Sequence, residues 1–150
     1  MSDKNIWSTS GVANSDLCDV NGASSKAGYL AVIVGPDTGS SDAGGDAKSG
    51  LPLLDVSGDA DDYIVGIFTE VNLTGRTVGV RVLGEAYGVI SASVTAGEAL
   101  KNDGNGKLTP ASPGDLCVGI AMESVTLPAT PTGLETVNVM LVGPFTAPAA

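Results

Sequence analysis

The sequence contains no histidine, and this absence removes much of the chemistry on which small enzymes depend. Histidine is the side chain best suited to moving protons at neutral pH, and it completes Ser-His pairs, Cys-His pairs and most catalytic metal sites. Aromatic residues are also scarce, at 4% of the 150 residues, so a cleft lined with stacking rings is not expected. The chain is therefore predicted not to be an enzyme, and to have no catalytic, cofactor-binding or metal-ligating residue.

Positive charge is scarce as well. Only 7 residues are basic against 17 acidic ones, which gives a net charge of −10 at pH 7, and no basic stripe runs along the chain. Such a surface repels the phosphate backbone of nucleic acids and anionic membranes. No apolar run approaches the roughly 18 residues of a membrane span or forms the apolar core of a signal peptide. We expect no nucleic acid partner, no membrane, and synthesis in a cytoplasm.

One acidic cluster could carry chemistry. Asp55, Asp59, Asp61 and Asp62 lie close together just before the apolar run that begins at Tyr63. Their spacing is not that of an EF-hand, and aspartates of this kind are common in solvated turns. A turn is the favoured interpretation, while a weak divalent cation site in residues 55–62 stays open.

Glycine and proline separate short apolar runs throughout the chain. The 21 glycines and 8 prolines lie between segments rich in Val, Ile and Thr, and long helix-forming stretches are missing. Asp103-Gly104 and Asn105-Gly106 mark a tight turn between two strands. Seven or more short strands predict an all-β protein, a small antiparallel β-barrel or β-sandwich.

Several segments of the chain carry nearly the same pattern, in the same order. Two of them share Val-Gly-Ile followed three residues later by Glu. The matched pairs are 63–70 with 116–123, 77–84 with 136–143 and, more weakly, 28–32 with 86–90.

These matches predict a single β domain over residues 28–143, built from two related halves, 29–84 and 87–143. Gly66 and Gly119 fall inside the matched strands, where glycine usually marks a bulge or a tight corner.

The two ends have a different composition. Residues 1–27 are mostly small and polar, and Ile6 and Trp7 are the only bulky apolar pair near the start. Residues 144–150 contain prolines, which cannot donate to a strand ladder. We predict an N-terminal arm and a C-terminal tail whose Ile6, Trp7 and Phe145 contact a partner, with packing of the arm onto its own domain as an equal alternative.

The second half contains a set of short runs that resembles the head decoration, or cement, proteins of tailed bacteriophages. The runs are Val94–Leu100, Gly106–Ala111, Val118–Glu123 and Val137–Leu141. The resemblance implies a β-tulip or jelly-roll-like subunit that forms a homotrimer on the outer surface of the virion capsid. There it would bridge neighbouring major capsid protein subunits and stabilise the expanded shell. The alternative is a phage tail or host-surface module that binds a glycan or receptor, which would have a similar β framework.

Overall fold

The structure, a computed structural model, describes residues 7–13, 26–36, 52–70 and 77–148, and these ranges contain strands and connections but no helix. The strands are β1 Trp7–Ala13, β2 Leu30–Pro36, β3 Pro52–Val56, β4 Gly66–Glu70, β5 Thr77–Val89, β6 Ala99–Asn102, β7 Leu108–Pro110, β8 Leu116–Ala121 and β9 Thr136–Thr146. The predicted all-β class is confirmed.

The strands form one curled sheet in the order β1-β3-β2-β4-β5-β9-β8-β6-β7. Strand β1 also pairs with β5, so the first five strands close into a ring, in which β1 and β3 run parallel and the other pairs antiparallel. The remaining strands extend from β5 and end at β7. A β-bridge joins Leu108 of β7 to Ile90, the residue directly after β5, so the last strand of the sheet lies close to β5. The barrel-like curvature therefore occurs in both parts of the sheet.

Strand β5 belongs to both parts of the sheet. Its residues 77–83 pair with β1 and β4, and its residues 84–89 pair with β9. Gly84, with φ of 96°, lies where one set of partners gives way to the other. The strand runs without interruption through the point at which the sequence suggested a boundary between two halves.

The interior consists of two hydrophobic cores separated by β2 and β4. Because successive residues of a strand point to opposite faces, Ala31 and Phe68 lie in the first core while Leu30 and Ile67 lie in the second. All four side chains are buried. The first core also contains Tyr29, Leu54, Val80 and Val89; the second also contains Ala86, Ile90, Val94, Leu100, Leu108, Ala121, Val137, Val139 and Leu141.

Described parts of both predicted arms form strands of the same sheet, and for the N-terminal arm this is the packing onto its own domain that the sequence left open. Residues 7–13 of the predicted N-terminal arm form β1, because the facing edges of β3 and β5 each need a hydrogen-bonding partner to complete the ring. Residues 144–146 of the predicted tail belong to β9 and pair with the start of β8. A register shift places three β9 residues opposite Val118, and Pro144 is among them, so its missing N–H removes no regular ladder bond.

Candidate interaction surfaces

Two hairpins of the sheet, β4–β5 and β8–β9, have the same strand register. The pairs are Ile67 with Arg81 and Phe68 with Val80 in the first, and Ile120 with Met140 and Ala121 with Val139 in the second. These positions correspond one to one in the sequence matches. Phe68 and Ala121 point into a core, so Ile67 and Ile120 both lie on the opposite face of their hairpins.

A glycine with the same packing precedes each of these isoleucines. A Cβ on Gly66 would overlap the carbonyl oxygen of Arg81, and a Cβ on Gly119 would lie 2.6 Å from that of Met140. Neither glycine has a positive φ, so glycine is required because the neighbouring strand comes too close for a side chain.

The corresponding isoleucines differ in what covers them. Ile67 is 1% exposed, because the second part of the chain packs over it: a Cβ on Gly88 of β5 would lie 3.2 Å from Ile67 Cδ1 and would overlap Leu108 of β7. Ile120 is 37% exposed. The described residues thus cover this face in the first hairpin and leave it open to solvent in the second.

The open face of the second hairpin is apolar along β8 and in the middle of β9, while Thr136 and Asn138 are polar positions on the same side at the start of β9. We call the apolar part the β8–β9 outer face; it consists of Leu116, Val118, Ile120, Met122, Met140 and Val142. All six side chains are exposed or half-buried, and neither strand contains a charged residue. An antiparallel sheet with one solvated face normally has polar side chains there, and an exposed apolar patch of this kind is typical of an interaction surface.

Among the described residues, charged groups lie at the borders of this face. Glu85 of β5 is paired with Met140, and on the other side Lys101 Nζ of β6 lies 2.9 Å from the Asp115 carboxylate just before β8. The surface therefore has an apolar centre and a polar border, as protein interfaces do.

A groove of about 470 Å³ adjoins the β8–β9 outer face. Exposed Ile33 and Tyr63, from the first part of the chain, and Leu116 and Val118, from β8, line it together with the buried Cys117. Burial raises the pKa of the Cys117 thiol, which disfavours the reactive thiolate. Since Leu116 and Val118 belong to both the groove and the outer face, the apolar surface is continuous across them.

A second groove, of about 560 Å³, is lined by Arg81 and Tyr87 of β5 and by Asn138 of β9. The Arg81 guanidinium donates to Ser8 Oγ at 3.0 Å and to the Glu85 carbonyl oxygen at 2.6 Å. The first bond joins β1 to β5 and the second lies within β5, so this arginine is engaged within the ring.

The acidic cluster forms a hydrogen-bonded turn. One oxygen of Asp62 accepts from Ser57 Oγ and from the amides of Gly58 and Asp59, each at 3.0 Å. The buried Asn102 amide of β6 donates to Ser57 Oγ and to the Asp59 carbonyl oxygen, both at 2.6 Å. The turn between β3 and β4 is thus joined to the second core region, and nowhere in the ranges that the structure describes do three or more Cys, Asp or Glu side chains form a group that could hold a metal ion.

The structure places the three residues predicted to contact a partner in different settings. Ile6 lies outside the described residues. Trp7 begins β1, where its backbone pairs with Leu83, and Phe145 is half-buried in β9 opposite Cys117. Sequence reasoning missed the β8–β9 outer face, although the absence of charge from two strands with apolar residues at both alternating positions was a usable signal.

Among the described residues, no helix has the length and apolar character needed to cross a membrane.

The chain was compared with protein families, curated proteins and solved structures. No family model and no curated protein sequence matches it. Among the solved structures that match is the crystal structure of the N base of head fiber gp8.5 in bacteriophage phi29. That match has a TM-score of 0.53 and 15% sequence identity, and covers 91% of this chain and 93% of the other. At this identity the likeness establishes a shared fold.

Proposed function

We propose that the chain is a structural protein of a phage head, a decoration or cement protein that binds the outer surface of the capsid. In this role it bridges neighbouring major capsid protein subunits, assembles as a homotrimer, stabilises the expanded shell and catalyses no reaction. The observation that carries the proposal is the shared fold with a phage head fiber base, which extends over 91% of this chain and 93% of that one. The runs that resemble decoration proteins support the same role independently.

The surface chemistry agrees with a protein that acts by contact. The described residues offer a continuous apolar surface, while Asp62 of the acidic cluster is engaged in closing a turn. A net charge of −10 suits a position outside the shell, away from packaged nucleic acid. Many copies that each bind the assembled shell stabilise it by mass action, so a modest interface is sufficient.

The test is sedimentation of the purified protein with undecorated capsids of the phage that encodes it, before and after capsid expansion. We expect stoichiometric co-sedimentation with expanded capsids and none with unexpanded ones. Expanded capsids that already carry the protein are the matched control, because their sites are occupied and they should take up no more.

Added protein should also raise the temperature at which expanded shells release their contents. Absence of binding to both capsid forms would refute the proposal. Binding to purified tails or to host cells in place of capsids would favour the alternative tail or host-surface module.

A further inference from the structure

One wall of the second groove is a regular part of the sheet. Residues 84–89 of β5 pair with residues 136–141 of β9 in an antiparallel register without a bulge. Tyr87 is paired with Asn138, and Glu85 and Thr136, each two residues away along its own strand, point to the same face. All four residues line the groove. Because they project from a paired ladder and not from a loop, the backbone fixes the spacing between them.

Tyr87 presents its aromatic ring to solvent in this groove. The residue is 65% exposed, although Ala86 and Gly88 on either side of it are buried. The faces of an aromatic ring are apolar and carry a slight negative charge, so they attract C–H groups that lie flat against them. The chain has few aromatic residues, yet one of its three tyrosines lies where a ligand can stack on it.

The polar side chains beside this ring have hydrogen-bonding capacity that the protein does not use. Within the part of the chain that the structure describes, the Glu85 carboxylate, the Asn138 side-chain amide and the Thr136 hydroxyl have no hydrogen-bond or ion-pair partner. A carboxylate only accepts, whereas an amide and a hydroxyl both donate and accept. A fitting ligand therefore carries donors and acceptors next to a surface of C–H groups.

Charge narrows the class of ligand further. Among the described residues that line the groove, Arg81 is the only basic one, and its guanidinium already donates to Ser8 Oγ and to the Glu85 carbonyl oxygen. The Glu85 carboxylate and the net charge of −10 oppose a phosphate or carboxylate ligand. A lipid tail would leave Glu85 and Asn138 without partners. An uncharged sugar has hydroxyls for both side chains and a C–H face for the tyrosine ring.

We infer that the groove lined by Glu85, Tyr87 and Asn138 is a binding site for an uncharged sugar unit of a saccharide. The sugar ring stacks on Tyr87, one hydroxyl donates to the Glu85 carboxylate, and another exchanges hydrogen bonds with the Asn138 amide. A volume of about 560 Å³ lies within the range of ligand sites. The inference goes beyond the proposed function and does not depend on it. Many copies on one phage head would bind a polysaccharide through many weak contacts at once.

The test is a titration of the isotope-labelled full chain with neutral sugars, followed by nuclear magnetic resonance. The panel consists of glucose, galactose, mannose, rhamnose, N-acetylglucosamine and N-acetylgalactosamine. We expect at least one of them to shift the amide signals of residues 85–88 and 136–139, with saturation in the millimolar range that a ligand of this size permits. Glucuronic acid and inorganic phosphate should bind more weakly, because both are anionic.

Variants of the groove separate ring stacking from hydrogen bonding. Tyr87→Ala should weaken sugar binding about tenfold, whereas Tyr87→Phe keeps the ring and should retain most of the affinity. Asn138→Ala should weaken binding about fivefold through the lost hydrogen bonds. Tyr63→Ala is the matched control: Tyr63 is 68% exposed but lines the other groove, so the affinity should not change. Circular dichroism and urea unfolding verify that each variant keeps the fold.

Three results would overturn the inference: no binding of any panel sugar well above millimolar concentration, shifts confined to residues outside the groove, or an equal loss of affinity in Tyr63→Ala. Loss of capsid binding in Tyr87→Ala by a protein that binds no sugar would assign the groove to a protein partner and leave the proposed function standing. Sugar binding that is sensitive to Tyr87→Ala in a protein that binds no capsid would support the inference and refute the proposed function.

Discussion

At the scale of single residues, the closest strand contacts depend on two glycines. Gly66 and Gly119 face the carbonyl oxygens of Arg81 and Met140 at distances that leave no room for a Cβ. These oxygens belong to the backbone, so they cannot move away by bond rotation as the end of a flexible side chain can. Glycine at these positions therefore sets how closely β5 and β9 approach β4 and β8.

Gly66→Ala should lower the free energy of unfolding by about 1–3 kcal/mol, because the added methyl group forces β4 and β5 apart. Gly58→Ala is the control: Gly58 is exposed and has no positive φ, and a Cβ added to it would meet no heavy atom within 4 Å. Gly58→Ala should therefore change the free energy of unfolding by no more than about 0.5 kcal/mol. Urea unfolding at constant pH measures both. Equal stability of the two variants would show that the strands adjust freely at Gly66.

At the scale of elements, the turn before β8 is held by a carboxylate. Asp115 accepts from the Ser112 amide at 2.8 Å and from Lys101 Nζ of β6 at 2.9 Å, and the amide of Ala147, just after β9, donates to its carbonyl oxygen at 2.9 Å. One residue thus joins three strands at the edge of the β8–β9 outer face. The hydrogen bond from Lys101, followed by that from Ser112, holds the pKa of Asp115 below its usual value of 3.8.

Because the folded-state pKa of Asp115 is lowered, its charged form stabilises the fold above pH 3.8 and that contribution is lost as pH falls through the lower folded value. Wild type should therefore be more stable than Asp115→Asn near neutral pH, and the difference should shrink towards zero in strong acid. The group is exposed to solvent, so the effect is small and should weaken in high salt. Urea unfolding of both proteins across the acid range measures the difference, and a constant gap between them would contradict the assignment.

At the scale of the whole molecule, the two cores share structural elements and are not independent of each other. Strands β2 and β4 contribute to both, β5 is shared, and the buried Asn102 of β6 binds the turn between β3 and β4. Asn102 Oδ1 also accepts from the Gly104 amide at 2.9 Å. Loss of structure in one part therefore exposes strand faces and polar groups of the other, which favours a single unfolding transition.

Asn102→Ala should lower the free energy of unfolding by about 2–3 kcal/mol, because it removes the three hydrogen bonds of a buried amide that join β6 to the turn between β3 and β4 and to Gly104. Asn105→Ala, at an exposed position of the same loop, should change it little. Fluorescence of Trp7, which is in the first ring, and far-ultraviolet circular dichroism of the whole chain should shift together. Separate transitions by the two probes would mean that the parts unfold independently.

The residue pattern alone was enough to predict that the chain is built of strands and to match particular positions of the first half with positions of the second. Val, Ile and Thr between glycine-rich turns indicated an all-β chain, and the two Val-Gly-Ile segments predicted corresponding strands, which pair with their neighbours in the same register in the structure. The sequence did not show that the ends contain strands, because polarity and proline argue against strands, whereas β1 and residues 144–146 are held by the edges that they pair with. Such pairing depends on residues far away in the chain.

The sequence by itself determined the alternation of side chains in each strand and the acidic, histidine-free character of the chain, because these follow from local geometry and side-chain chemistry. Only the tertiary structure decided that Ile67 is covered and Ile120 is exposed. Both lie in the same Val-Gly-Ile pattern, and the difference comes from which element stacks on each face. That stacking is set by the path of the whole chain, which no short segment encodes.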